Sequence, residues 1–320
     1  MNRFKHRSLE HWFELFLSSR TKEKLERYII GIAIISFIVH LALVLLGDAL
    51  SEGILEFTDS SFIQILVEGQ LFKSPVAAIY TPFSFILLYE VYLLVYYLPK
   101  SISSYIRKQY EIITLIVIRR IFKDMANLDL TGSWVESDYD LQLTYDLLTT
   151  LVLFLLIFLF TYLNKKTSSA LMPQGEKAIL NQFLKRKKTI AVLLIPILLA
   201  LSLFSFGSWV VNEITSLEGL FSGITDINKI FFNEFFTVLI LADVLLLLFS
   251  LYYTDRFDRV IRNSGFIIST ILLRLSFGAD GLTNNILICA ALIFGVLILL
   301  IYNLYGRLVL PNNPDRICNT

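Results

Sequence analysis

The sequence predicts an all-α, polytopic membrane protein with eight transmembrane helices arranged as two parallel four-helix repeats. Three observations lead there. First, 56% of the 320 residues are hydrophobic and only 17% are charged, with a mean hydropathy of +0.67; a soluble chain carries roughly 25% charged residues. Second, Lys and Arg alternate with the apolar runs. Third, the chain resembles itself at a fixed offset. The net charge of +1 supplies no basic surface for nucleic acid, which is not expected as a partner. Cys289 and Cys318 form neither a disulfide framework nor a metal box, and no metal or cofactor is expected.

Residues 1–27 read as a cytoplasmic amphipathic segment. Leu9, Trp12, Phe13, Phe16 and Leu17 recur at helical spacing between Arg3, Lys5, Arg7 and Arg20, the pattern of a helix lying on the inner leaflet. The first apolar run is long and lacks a small-residue cleavage site, so no secretory signal is expected. A helical crossing needs about 20 mostly apolar residues. Six runs meet that standard: Tyr28–Leu46, Ile79–Leu98, Leu143–Leu163, Thr189–Val211, Ile230–Tyr253 and Asn285–Tyr305. Two shorter runs, Ile112–Phe122 and Phe266–Phe277, contain arginine. They are either interfacial helices, giving six crossings, or short crossings, giving eight.

Charge bias separates these readings, because cytoplasmic loops concentrate Lys and Arg. With eight crossings and the N-terminus inside, 22 of the 28 basic residues are cytoplasmic and only Lys73 and Lys229 lie in outer loops. With six, the split is 16 to 12. The eight-crossing reading gives a first membrane repeat at 28–163, a basic cytoplasmic linker at 164–188, a second repeat at 189–305 and a cytoplasmic tail at 306–320. The stretch 62–72 reads as an outer-surface helix.

The repeat is visible where 106–122 aligns without gaps on 261–277. Ile106, Arg107, Ile112, Ile113, Ile116, Arg119 and Phe122 match Ile261, Arg262, Ile267, Ile268, Ile271, Arg274 and Phe277. The preceding helices match too, and there Glu90 meets Asp243. Four crossings per half make the repeat parallel, related by an axis along the membrane normal.

An ionisable residue at bilayer depth is costly and usually paired inside the protein. Placed by position along their helices, Glu90, Arg119, Arg120 and Asp146 fall at similar depths and predict one buried network in the first half. Asp243 and Arg274 form the reduced counterpart in the second, whose fourth helix offers no acid. These groups serve either as structural pins or as a charge path; Arg120 and Lys123 can also snorkel outward. His40, in the middle of the first crossing, is a candidate proton relay, against a plainer hydrogen-bonded packing role. Asp138, Asp140 and Asp146 are a candidate outer cation site, against a solvated acidic loop.

The segment LLYEVYLLVYYLPKSISSYIRKQYEIITLIVI, 87–118, resembles the second and third helices of voltage-sensor domains of the ion-channel superfamily. Glu90 matches the second-helix acid and Tyr110–Leu115 the start of the third helix. The resemblance implies two four-helix bundles and an ion-handling role. The chain departs from the family at Thr114 and Ser269, where aspartate is expected, and both fourth helices lack arginine. No selectivity-filter sequence, phosphate loop or hydrolase motif is present, and no enzyme is expected. The expected function is therefore an ion channel or transporter in a bacterial inner membrane, both termini cytoplasmic, with lipid and inorganic ions as partners. The alternative is a non-conducting structural subunit, working as a homo-oligomer or inside a larger complex.

Overall fold

The computed structural model describes residues 2–51, 78, 80–125, 138–167, 174–215, 223–253 and 257–309, and among them every element is a helix. The expected outer helix at 62–72 and most of the tail lie outside these residues. α1 (Asn2–Leu17) is followed by α2 (Ser19–Ser51). Ser18 separates them as an N-cap, its Oγ accepting from the Thr21 amide at 3.1 Å. α3 (Tyr80–Tyr97) stops before Pro99, which lacks the amide that would continue it. Ser101 then caps α4 (Ile102–Met125) by accepting the Ser104 amide at 3.2 Å.

α5 (Asp138–Thr167), α6 (Gln174–Thr215) and α7 (Gly223–Tyr253) are long. α6 is continuous from the basic stretch into the apolar run, so the expected linker at 164–188 is mostly the first part of a helix. Pro196 lies inside it, a break in the backbone ladder that membrane helices tolerate when neighbours re-satisfy the freed carbonyl. α8 (Phe257–Leu275) ends in a single 3₁₀ turn, Ser276–Gly278, before α9 (Gly281–Val309). Gly281 takes φ +59°, a conformation that disfavours any side chain. The short runs at 112–122 and 266–277 extend into helices of 24 and 19 residues because the polar residues that precede them are helical too.

In the first half α2 packs on α3, α3 on α4, and α4 on α5; in the second, α6 packs on α7, α7 on α8, and α8 on α9. The halves meet where α5 lies against α9 and α4 against α8. Tyr110, Phe160 and Phe266, all fully buried, fill that seam, with Phe160 5.2 Å from the Tyr110 ring and 5.5 Å from Phe266. Gly295 makes the approach possible: a Cβ there would stand 1.9 Å from the Tyr110 hydroxyl.

The outward faces are apolar. Leu151, Leu155 and Phe158 on α5 are each about two thirds exposed, and Ile286, Leu297 and Ile301 continue the pattern on α9. In water such faces would be an aggregation surface; in lipid they are the solvent-facing side. Among the described residues, five stretches are long and apolar enough to cross a membrane: Glu10–Leu46, Asp140–Lys165, Phe235–Tyr252, Phe257–Gly278 and Gly281–Gly306.

Candidate functional site

Among the described residues, three buried ionic clusters lie along the helices. In the first half, the Arg119 guanidinium of α4 donates through Nη2 to Oε2 of Glu90 on α3, and through Nη1 to the Phe83 carbonyl at 3.2 Å. Both side chains are nearly inaccessible.

The second cluster is separate. Arg120 follows Arg119 by one residue, about 100° around the helix, so it turns to another face and reaches α5 and α9. Its Nε and Nη2 grip both carboxylate oxygens of Asp146, the Nη2 contact at 2.8 Å. Nη1 donates to Asn284 at 3.0 Å, and Nη2 also reaches the Asn285 amide oxygen. Oδ1 of Asp146 further accepts from Gln142 at 2.8 Å and from Asn285 at 2.6 Å. The single four-residue network expected from the sequence is thus two clusters, and Arg120 does not snorkel outward but forks onto Asp146, the geometry that suits a guanidinium.

The third cluster holds Arg274 of α8, whose Nη2 lies 2.8 Å from Oδ2 of Asp243 on α7. It is not confined to its own half. The Tyr105 hydroxyl donates to Oδ1 of Asp243 at 2.8 Å, and Arg274 donates to Gln109 Oε1 at 3.1 Å, both partners coming from α4. Thr270 adds a longer contact to Oδ2 at 3.4 Å. Between Asp243, Tyr105 and Lys187 of α6 lies a cavity of about 10 Å³. Lys187 is 1% exposed, and its Nζ donates to the Lys100 carbonyl at 3.0 Å. Burial lowers its ammonium to about 8, against the opposing pull of the Asp243 charge.

His40 is buried and bonded through Nδ1 to the Thr81 hydroxyl, tying α2 to α3. The two positions where the voltage-sensor pattern has aspartate hold hydroxyls that serve packing. Thr114 donates to the Tyr110 carbonyl at 3.0 Å; Ser269 donates to the Ala291 carbonyl at 2.6 Å and meets the Tyr110 hydroxyl at 2.6 Å. Asp140 is 1% exposed and so is not a solvated loop acid; it stands in the first turn of α5, where the helix dipole favours a carboxylate. Among the described residues no three acidic, histidine or cysteine side chains converge to hold a metal; the side chains of Asp138 and Lys123 lie outside them.

Sequence reasoning missed Asn284, Asn285, Tyr105, Gln109 and Lys187. For Asn285 a signal exists: Leu143, Thr144, Leu153 and Asn164 match Leu282, Thr283, Leu292 and Asn303 without gaps, which sets Asp146 against Asn285. That offset is 139 residues, not the 155 of the third helices, so a search at one period passes over it. For Lys187 the signal is helical phase: it shares a face with Phe183, Ala191 and Leu194, all buried.

No protein-family model, curated protein or solved structure matches this chain. The class that fold and surface define is a helical, multi-pass integral membrane protein.

Proposed function

We propose that the protein is an ion channel or ion transporter of eight crossings, built as two parallel voltage-sensor-like four-helix repeats. The observation that carries this reading is the set of buried arginine–carboxylate clusters in apolar helices. Each costs desolvation energy that a structural pin of hydrophobic residues would avoid. The likeness of the Glu90–Arg119 and Asp243–Arg274 pairs, each joining the second and third helix of its half through Nη2, supports the repeat. The three crossings beyond the five apolar stretches are 79–98, 112–122 and 189–211. Charge bias supports cytoplasmic termini, and the lack of Asn-x-Ser/Thr sites in the expected outer loops supports a bacterial inner membrane.

The test is ion flux from purified protein in liposomes across imposed voltages, wild type against Glu90→Gln/Asp243→Asn. Flux that the double variant loses while keeping its helical circular dichroism sustains the reading. The second reading, a non-conducting partner subunit, is favoured by how closed the seam is: the cavity beside Asp243 holds only about 10 Å³. It predicts no flux from any variant and a protein that co-purifies.

A further inference from the structure

One face of α2 runs from charged to apolar without turning. At about 100° per residue, Arg20, Lys24 and Arg27 fall on one line along the helix, and Ile34, Ile35 and Ile38 continue it. The three isoleucines are each more than half exposed, and the three bases are exposed too. The opposite side carries Ile29, Ala33, His40 and Val44, all buried. Ile34–Ile38 therefore faces lipid, and Arg27 stands about 10 Å further along the same line, where the helix leaves the hydrocarbon and meets the headgroups. Among the described residues none of the three bases is paired with an acid; the Glu26 carboxylate is taken by Lys22 at 3.4 Å and by the Tyr89 hydroxyl at 2.7 Å. Glu23, exposed beside the line, leaves an excess of two positive charges on this face.

α1 sets an apolar face beside this basic one. Trp12, Leu15 and Phe16 share one side of the helix and are exposed, the first two by about half, with the Trp12 and Phe16 rings stacked at 5.6 Å. Glu10 and Glu14, two residues to either side of Trp12, stand nearly opposite. The helix is held in this pose. Leu17 is part of the core, and the Lys188 ammonium lies 4.7 Å over the Phe13 ring. The last carbonyls of a helix have no helical amide to meet. Here the Leu15 carbonyl accepts from the Thr21 hydroxyl and the Phe16 carbonyl from the Tyr92 hydroxyl, each at 2.8 Å. This end of α1 can thus lie at the edge of the hydrocarbon without two unmet backbone groups. An exposed tryptophan beside a row of bases is the composition of an interfacial segment.

We propose that the elbow between α1 and α2 is a docking surface for anionic phospholipid. Arg20, Lys24 and Arg27 hold headgroup phosphates, while Trp12, Leu15 and Phe16 sit among the first acyl carbons. Charge complementarity selects the lipid. A zwitterionic headgroup brings a cation of its own to three unpaired bases; an anionic headgroup does not. Residues 1–27 as a whole hold seven Lys and Arg against four acids. A soluble anion could answer the bases but would leave the apolar side of α1 in water, whereas a lipid answers both at once. Such a surface serves a channel, a transporter or a partner subunit equally, so it does not depend on the ion-moving reading. It adds to the in-plane helix expected from the sequence the headgroup chemistry and the α2 bases that recognise it.

Trp12 supplies its own probe. The full chain carrying Trp134→Phe and Trp209→Phe is reconstituted in vesicles of equal phosphatidylcholine and phosphatidylglycerol. Bromine is placed on the acyl chains of one lipid or of the other, and quenching reports which of them lies beside Trp12. The expected preference for phosphatidylglycerol is about fivefold or more, since each base near an anionic surface contributes roughly that factor. Arg20→Gln/Lys24→Gln/Arg27→Gln should bring the ratio close to one, while Arg20→Lys/Arg27→Lys, which keeps the charge, preserves it. Where the triple variant does not fold, raising NaCl from about 50 to about 500 mM replaces it and should at least halve the preference. Equal quenching by the two lipids, or a preference that neither the triple variant nor salt reduces, overturns the proposal. A Trp12 that neither lipid quenches overturns it as well, and aqueous iodide then separates a helix in water from one covered by a protein partner.

Discussion

The two acid–arginine pairs that join second to third helix share a geometry, yet they are embedded differently. Glu90 and Arg119 bond to each other within their own half, and the guanidinium also donates to the Phe83 carbonyl of the same helix as Glu90. Asp243 and Arg274 reach across the seam to Tyr105 and Gln109, and Asp243 borders the cavity of Lys187. One pair orders two neighbouring helices; the other also couples two halves of the chain. The same motif therefore carries different weight according to what surrounds it, and mutating both in parallel measures the difference.

The largest effect is expected at Asp243. Replacing it with alanine leaves Arg274 buried without its carboxylate and frees the Tyr105 hydroxyl, at a cost of about 3–5 kcal/mol. Glu90→Ala should fall at or below the low end of that range, since its loss stays inside one half. Thermal midpoints of the two variants in detergent rank them; equal losses would erase the distinction. Next comes the seam itself. Gly295→Ala forces a methyl into the Tyr110 hydroxyl and should cost about 1–3 kcal/mol. Adding Tyr110→Phe removes the clashing oxygen, so the double variant should lose less than the sum of the single ones.

The third effect depends on pH. The Lys187 ammonium, lowered to about 8 from an ordinary 10.5, binds its proton less tightly in the folded protein. Below 8 both folded and unfolded chains are protonated and the folded state bears the full penalty of roughly 3 kcal/mol. Between 8 and 10.5 the folded state has lost the proton that the unfolded state still holds, so stability rises with pH. In Lys187→Met that rise should vanish, as unfolding midpoints measured from pH 7 to 11 would reveal. The smallest effect is Thr81→Val, which removes one hydroxyl from His40 and should cost about 1 kcal/mol in the same assay.

What the sequence disclosed follows a physical rule. Charges inside apolar runs stand out, so Glu90, Arg119, Asp146, Asp243 and Arg274 could be singled out from one chain alone. Their partners were less legible. Tyr105, Gln109, Asn284 and Asn285 are uncharged polar residues near helix ends, where such residues are ordinary, and only the packing of α4 on α8 and α5 on α9 gives them a role. Arg119 and Arg120 looked like one group because depth along a helix can be read from position, while the face each residue takes requires knowing where the neighbours stand. Lys187 was hidden by company, one lysine among four consecutive basic residues. The helices themselves were largely legible from hydropathy, except that α6 begins well before its apolar run.

The bond from Tyr105 to Asp243 joins residues 138 positions apart, and that separation is also an interval of time. At roughly 5–20 residues per second, the ribosome delivers Asp243 on the order of ten seconds after Tyr105. Throughout that wait the first half must hold Tyr105, Gln109 and the asparagine-facing side of Arg120 without their mates. Its own pair, Glu90 with Arg119, is complete from the start. A newborn first half is therefore internally ordered yet adhesive along one edge, and a chain cut between α5 and α6 should reassemble from two separately translated pieces.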